Sequence, residues 1–112
     1  MITDPPRPTS ARLTVVYRIE PGCLGPEGKR YIEAFCQSAQ SDFQTLAADF
    51  IHWVITPRYD KSLPEIQYLF GEKNLPFDKA QMFFAKHQIE LDRFEELLNQ
   101  RLAMLIDQHL GR

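Results

Sequence analysis

Apolar and polar residues alternate from Leu13 to Glu20. Leu13, Val15, Tyr17 and Ile19 fall on one side, and Thr14, Val16, Arg18 and Glu20 on the other. Successive strand side chains point to opposite faces, so this pattern predicts a half-buried strand rich in β-branched and aromatic residues. Pro21-Gly22 ends it. Pro26 then suits the first turn of a helix, where its missing N–H costs nothing. Ile32, Phe35, Cys36, Ala39 and Phe43 recur at helical spacing, predicting a helix over about 26–44 with Gly28 a mild weakness in its first turn.

Asp49 to Thr56 reads as a second strand closed by Pro57. Ile51, Trp53 and Ile55 share one face, and Phe50, His52, Val54 and Thr56 the other. Two largely apolar faces predict a central strand covered on both sides, or a dimer surface. A loop over 57–64 leads to a third, shorter strand at about 65–70, which completes an antiparallel pair. Gly71 to Asn74 reads as a turn, and Pro76 opens a short helix carrying Phe77, Ala80, Phe83, Phe84 and His87. After a turn at Gln88–Glu90, a long helix runs to about 109, with Gly111 as its stop signal. Ile89 and Phe94 have the spacing of a hydrophobic staple on a Glu90 cap, while Asp92 and Glu95 match a capping box two residues later. The apolar residues of this helix, from Leu91 and Phe94 to Ile106 and Leu110, cover more than the usual stripe of about 100°. Such a helix packs on two sides or meets another chain. The expected fold is α+β: a small three-stranded sheet (β-α-β-β) followed by a C-terminal helical hairpin.

Composition narrows the class. The 112 residues suit one domain, 12–112, behind a flexible Pro-rich lead-in at 1–11. An apolar fraction of 44% and a charged fraction of 25% argue against wholesale disorder. The longest apolar-leaning run, Phe50–Thr56, contains His52 and is far short of the roughly 20 residues a membrane helix needs. The N-terminus lacks the basic start and apolar stretch of a secretory signal. Cys23 and Cys36 are therefore expected to be reduced thiols in a cytoplasmic protein. A net charge of −2 with scattered Lys and Arg argues against nucleic acid as a partner. A helix-turn-helix reading fails as well, because Glu90, Asp92, Glu95 and Glu96 outweigh Arg93 where phosphates would have to bind.

Two stretches offer chemistry. In Pro21–Arg30 a glycine-bearing loop joins strand to helix, and helix N-termini attract anions. A Walker A loop fails there: Gly22 and Gly28 stand too far apart, and Arg30 replaces the Mg²⁺-binding hydroxyl. A cysteine-phosphatase loop fails too, because Lys29 stands where the arginine fork is needed and Arg30 comes one residue late. The tight turn and helix start remain, with a Cys23 thiol whose pKa the helix N-terminus would lower. The second stretch places His52 on a strand and Arg58, Tyr59 and Asp60 in the loop after it, a set with acid–base or carboxylate-binding capacity. His52, His87 and His109 fall in separate elements, and no spacing matches a metal site. No catalytic residue, metal or cofactor is assigned.

These readings converge on a small, non-enzymatic interaction or regulatory module that self-associates as a homodimer through apolar strand and helix surfaces. The alternative is a small-ligand or anion-binding protein, or a small enzyme. Its site would lie between the Cys23 loop, with Lys29 and Arg30, and the Arg58–Asp60 loop near His52. That alternative needs the first two strands to run parallel, so that both loops share one end of the sheet.

Overall fold

A computed structural model describes residues 12–112, so the Pro-rich stretch at 1–11 lies outside the described residues. The elements run β1 (Leu13–Ile19), a 3₁₀ turn (Pro21–Leu24), α1 (Gly28–Phe43), β2 (Ile51–Pro57), β3 (Ile66–Phe70), β4 (Lys73–Leu75), α2 (Phe77–Lys86) and α3 (Leu91–His109). The fold is α+β with a C-terminal helix pair. The sheet has four strands rather than three, in the order β2-β1-β3-β4. The extra strand, β4, is three residues long, too short for alternation to show. Gly71, at φ +63°, turns the chain into it.

β1 and β2 pair in parallel, Leu13 opposite Ile51 through Ile19 opposite Pro57, and α1 supplies the crossover that a parallel pair requires. β3 runs antiparallel to β1, with Val15 opposite Tyr68. β1 is thus interior and β2 is an edge strand, which corrects the expectation that β2 is central. Its two apolar faces have a different cause. Ile51, Trp53 and Ile55 are buried beneath the helices, whereas His52, Val54 and Thr56 are half-buried on the opposite face.

All three helices pack on the face carrying Leu13, Val15, Tyr17, Trp53 and Tyr68. Tyr17 meets Phe43 of α1 at 6.0 Å between ring centroids and bonds Asn99 of α3. Trp53 lies between Phe43 and Phe94, and Phe84 of α2 touches Tyr68 and Phe94. Aromatic pairs of this kind add about 0.5–1.5 kcal/mol each beyond their buried area, so the rings fix how the layers sit. On the opposite face Arg18 donates to Gln67 Oε1, and Gln67 Nε2 donates to Asn74 Oδ1. These bonds tie β1, β3 and β4 together with polar groups.

Gly28 is a requirement rather than a weakness. A Cβ there would stand 1.7 Å from the Pro21 carbonyl oxygen, so only glycine lets α1 start against the 3₁₀ turn. Between α2 and α3, Gln88 adopts φ +62°. The N–H groups of Gln88 and Ile89 donate to Ala85 and Phe84, a Schellman ending made without glycine. α3 begins at Leu91 with Glu90 as N-cap, the start that the Ile89/Phe94 spacing marks. Its wide apolar surface divides. Leu91, Phe94, Leu98 and Leu102 are buried, while Leu97 and Met104 remain 50% and 55% exposed.

The edge of β2 is partly covered by a side chain. Leu13 N–H donates to the Phe50 carbonyl and Arg58 N–H to that of Ile19, so the even-numbered peptides of β2 face β1 and the odd-numbered ones face outward. Gln40 of α1 reaches that outer row. Its Nε2 donates to the Trp53 carbonyl and its Oε1 accepts from Ile55 N–H, each at 2.8 Å. One carboxamide thereby imitates a residue of a neighbouring strand. Ile51 N–H is taken by the Ala47 carbonyl, and Pro57 has no N–H to offer.

Candidate functional site

Parallel pairing of β1 and β2 places the loops that follow them at the same end of the sheet. Glu20 joins the two. Its carboxylate accepts from Arg58 Nη1 at 2.7 Å, and its carbonyl accepts from Cys23 N–H at 3.0 Å. Arg58 also donates from Nε and Nη2 to the Leu63 carbonyl and from Nη2 to that of Lys61. Its guanidinium is spent on holding the 58–63 loop against β1. Asp60 closes the same loop, accepting from the N–H and hydroxyl of Ser62. Those bonds hold its carboxyl below the usual range, a local turn of the kind Asp commonly makes.

Tyr59 is exposed, and its hydroxyl lies 3.1 Å from Glu33 of α1. Beside it is a depression of about 510 Å³ lined by Glu33, Gln37, Ile55, Thr56 and Pro57. Lys29 and Arg30 stand exposed on the first turn of α1, with Arg30 over the ring of its neighbour Tyr31 at 5.4 Å.

Two expectations are corrected. The Cys23 thiol is pushed up, not down, by partial desolvation and then by the carboxylates of Glu65 and Glu20. The physical reason is placement: Cys23 lies in the 3₁₀ turn before α1 starts at Gly28, where the Glu65 and Glu20 carboxylates act on the sulfur. A raised pKa means less thiolate and a poorer nucleophile. Buried Cys36 is pushed up to about 11, by burial and then by Glu33. His52 does not join the loops. It pairs with Thr14 at the start of β2, six residues and about 20 Å from Arg58 at strand rise. Partial burial and the nearby Arg12 hold its imidazole below the usual range.

Of the seven residues singled out in the sequence, the structure links Cys23 and Arg58 through Glu20 and keeps Tyr59 and Asp60 in the adjoining loop. His52 is separate, and Lys29 and Arg30 face solvent. Among the described residues, no group of three or more His, Cys, Asp or Glu side chains is placed to hold a metal ion. No helix of the described residues is long and apolar enough to cross a membrane.

A second concavity was not anticipated. A groove of about 320 Å³ runs between α2 and the β3–β4 hairpin, floored by Phe70, Leu75, Met82 and Phe83 and rimmed by Lys73, Lys79 and Lys86. Lys79, Met82, Phe83 and Lys86 recur at i, i+3, i+4 and i+7, so they share one side of α2. That spacing was present in the sequence, but attention to the apolar stripe alone hides a side that mixes lysines with Met. No protein-family model, curated protein or solved structure matches the chain, so its function has to be argued from its own geometry.

Proposed function

We propose that this chain is a non-enzymatic interaction module that self-associates, with a two-fold homodimer as the commonest form. The observation that carries the reading is a pair of exposed large apolar side chains, one from β3 and one from α2, that share a groove. Phe70 and Met82 are 42% and 58% exposed and line one groove. Contiguous exposed apolar surface marks interaction sites, whereas scattered single residues do not. The Gln40 bonds occupy two backbone groups on the outer edge of β2, which favours association through the helices over strand addition at that edge.

Light scattering between about 5 and 200 µM tests this, since standard interfaces give micromolar affinity or better. The expected result is a mass that rises from 13.1 kDa toward twice that value. A mass fixed at the monomer value across the range refutes self-association. A second reading, a ligand or anion site between the Cys23 and Arg58–Asp60 loops, draws support from the parallel β1–β2 pair. Against it stand the committed donors of Arg58 and the carboxylates of Glu20, Glu33 and Glu65. NMR titration with phosphate and small carboxylates tests it, through shifts of the Arg58–Ser62 amides.

A further inference from the structure

The lysine-rimmed groove lies next to a patch of opposite charge. Lys86 closes α2, and Glu90 is the N-cap of α3. The two helices meet closely, with the Phe84 and Phe94 rings 4.4 Å apart. Along the first turns of α3, Glu90, Asp92, Glu95 and Glu96 line a shallow depression with Arg93 and Asn99. Arg93 is already paired with Glu96 at 3.3 Å, and Glu95 accepts from the Tyr68 hydroxyl. On the other side, none of Lys73, Lys79 and Lys86 makes an ion pair among the described residues.

A positive apolar groove beside α2 and a negative patch on α3 are self-complementary under a two-fold rotation. An axis passing between them carries each groove onto the other copy's acidic patch, and every contact is made twice. We propose that the groove of Phe70, Met82 and Phe83 with Lys73, Lys79 and Lys86 is occupied by the first turns of α3 from a second copy of this chain. In that dimer Asp92 and Glu96 meet the lysines. The inference rests on the self-association reading and adds its surface, its partner and its symmetry. Charge placement of this kind fixes register and orientation more than it adds affinity, and an apolar floor beneath supplies the burial.

Charge reversal tests it. Lys79→Glu/Lys86→Glu and Asp92→Lys/Glu96→Lys alter only exposed side chains, and circular dichroism checks their folding. Each double variant alone faces like charge at both contacts and is expected to dimerise at least about tenfold more weakly than wild type. Mixed one to one, the two variants match at both contacts, so native mass spectrometry should show the heterodimer predominating. Raising the salt from about 50 to 500 mM should weaken wild-type dimerisation several-fold, because the pairs lie at an exposed rim.

An experiment on the unaltered chain runs in parallel. Carbodiimide coupling of mixed ¹⁴N- and ¹⁵N-labelled protein should give inter-copy links from Lys79 or Lys86 to Asp92 or Glu96. Wild-type protein that stays monomeric overturns this inference and the self-association reading together. A wild-type dimer whose affinity neither reversal changes, or whose inter-copy links avoid these residues, overturns the groove assignment alone. Binding to anionic phospholipid vesicles that Lys79→Glu/Lys86→Glu abolishes, with the dimer mass unaltered, would put a lipid surface in the groove and overturn the second-copy assignment.

Discussion

Replacing Gln40 with Ala removes two hydrogen bonds and leaves the backbone of an edge strand without its side-chain partner. Both bonds are 2.8 Å long and half-buried. A net contribution of about 1 kcal/mol per bond gives an expected loss of about 2 kcal/mol. Water reaches this edge, so the full penalty of an unsatisfied buried group does not apply. For a domain of this length 1 kcal/mol corresponds to about 4 °C in Tm, so thermal unfolding should shift down by about 8 °C.

Hydrogen exchange locates the effect: amides paired between β1 and β3 should accelerate by no more than the roughly thirtyfold that a global loss of about 2 kcal/mol allows, whereas the Ile55 amide, left without its acceptor, should accelerate by more than that. Gln40→Glu is the discriminating companion. Its carboxylate still accepts from Ile55 N–H but turns an oxygen toward the Trp53 carbonyl. Only the protonated acid restores a donor there, so the folded state raises the pKa of this Glu above its unfolded value near 4.3. Stability then rises as pH falls through the folded pKa toward the unfolded one, and the deficit relative to wild type should shrink between pH 7 and 4. A Gln40→Ala Tm within about 1 °C of wild type, or Ile55 exchange that does not change, would show that the carboxamide is not the edge partner described.

Two further outcomes follow from the packing. Gly28→Ala should destabilise by about 1–3 kcal/mol in chemical denaturation, against the gain that Ala normally brings to a helix, because its Cβ meets the Pro21 backbone. Gly22→Ala, with nothing within 4 Å of its Cβ, should stay within about 0.5 kcal/mol, and equal effects at the two sites would refute the close-approach argument. Tyr17 and Tyr68 are pushed up, chiefly by burial, and Tyr68 further by the Glu95 carboxylate that its hydroxyl bonds. A raised folded pKa contributes stability that is complete below the unfolded value near 10 and is lost as pH climbs beyond it. Absorbance at 295 nm should therefore show these two phenols ionising only as the far-ultraviolet dichroism collapses, and ionisation ahead of unfolding would contradict their burial.

Local periodicity made the fold class legible, because alternation in Leu13–Glu20 and the 3.6 spacing of Ile32, Phe35, Cys36, Ala39 and Phe43 are imposed by the core they bury. The rank of a strand in its sheet has no such local signature. β2 reads as interior because Ile51, Trp53 and Ile55 need helices above them and Val54 lies below. Yet two groups of its outer edge are satisfied by Gln40, a polar residue 15 positions before Ile55, whose role depends wholly on tertiary placement. The site followed the same division. The parallel strands that the ligand reading required are present, but the chemistry assigned to their loops depended on what each group faces. Arg58 turned inward to carbonyls and Glu20, and Cys23 met carboxylates, whereas the distance of His52 from Arg58 was already set by six residues of strand. By contrast, the lysines of α2 and the acids of α3 were plain in the sequence as charges and invisible as a pair. Their meaning lies in the hairpin that sets them side by side, an arrangement that only the Schellman turn at Gln88 and the Phe84–Phe94 contact bring about.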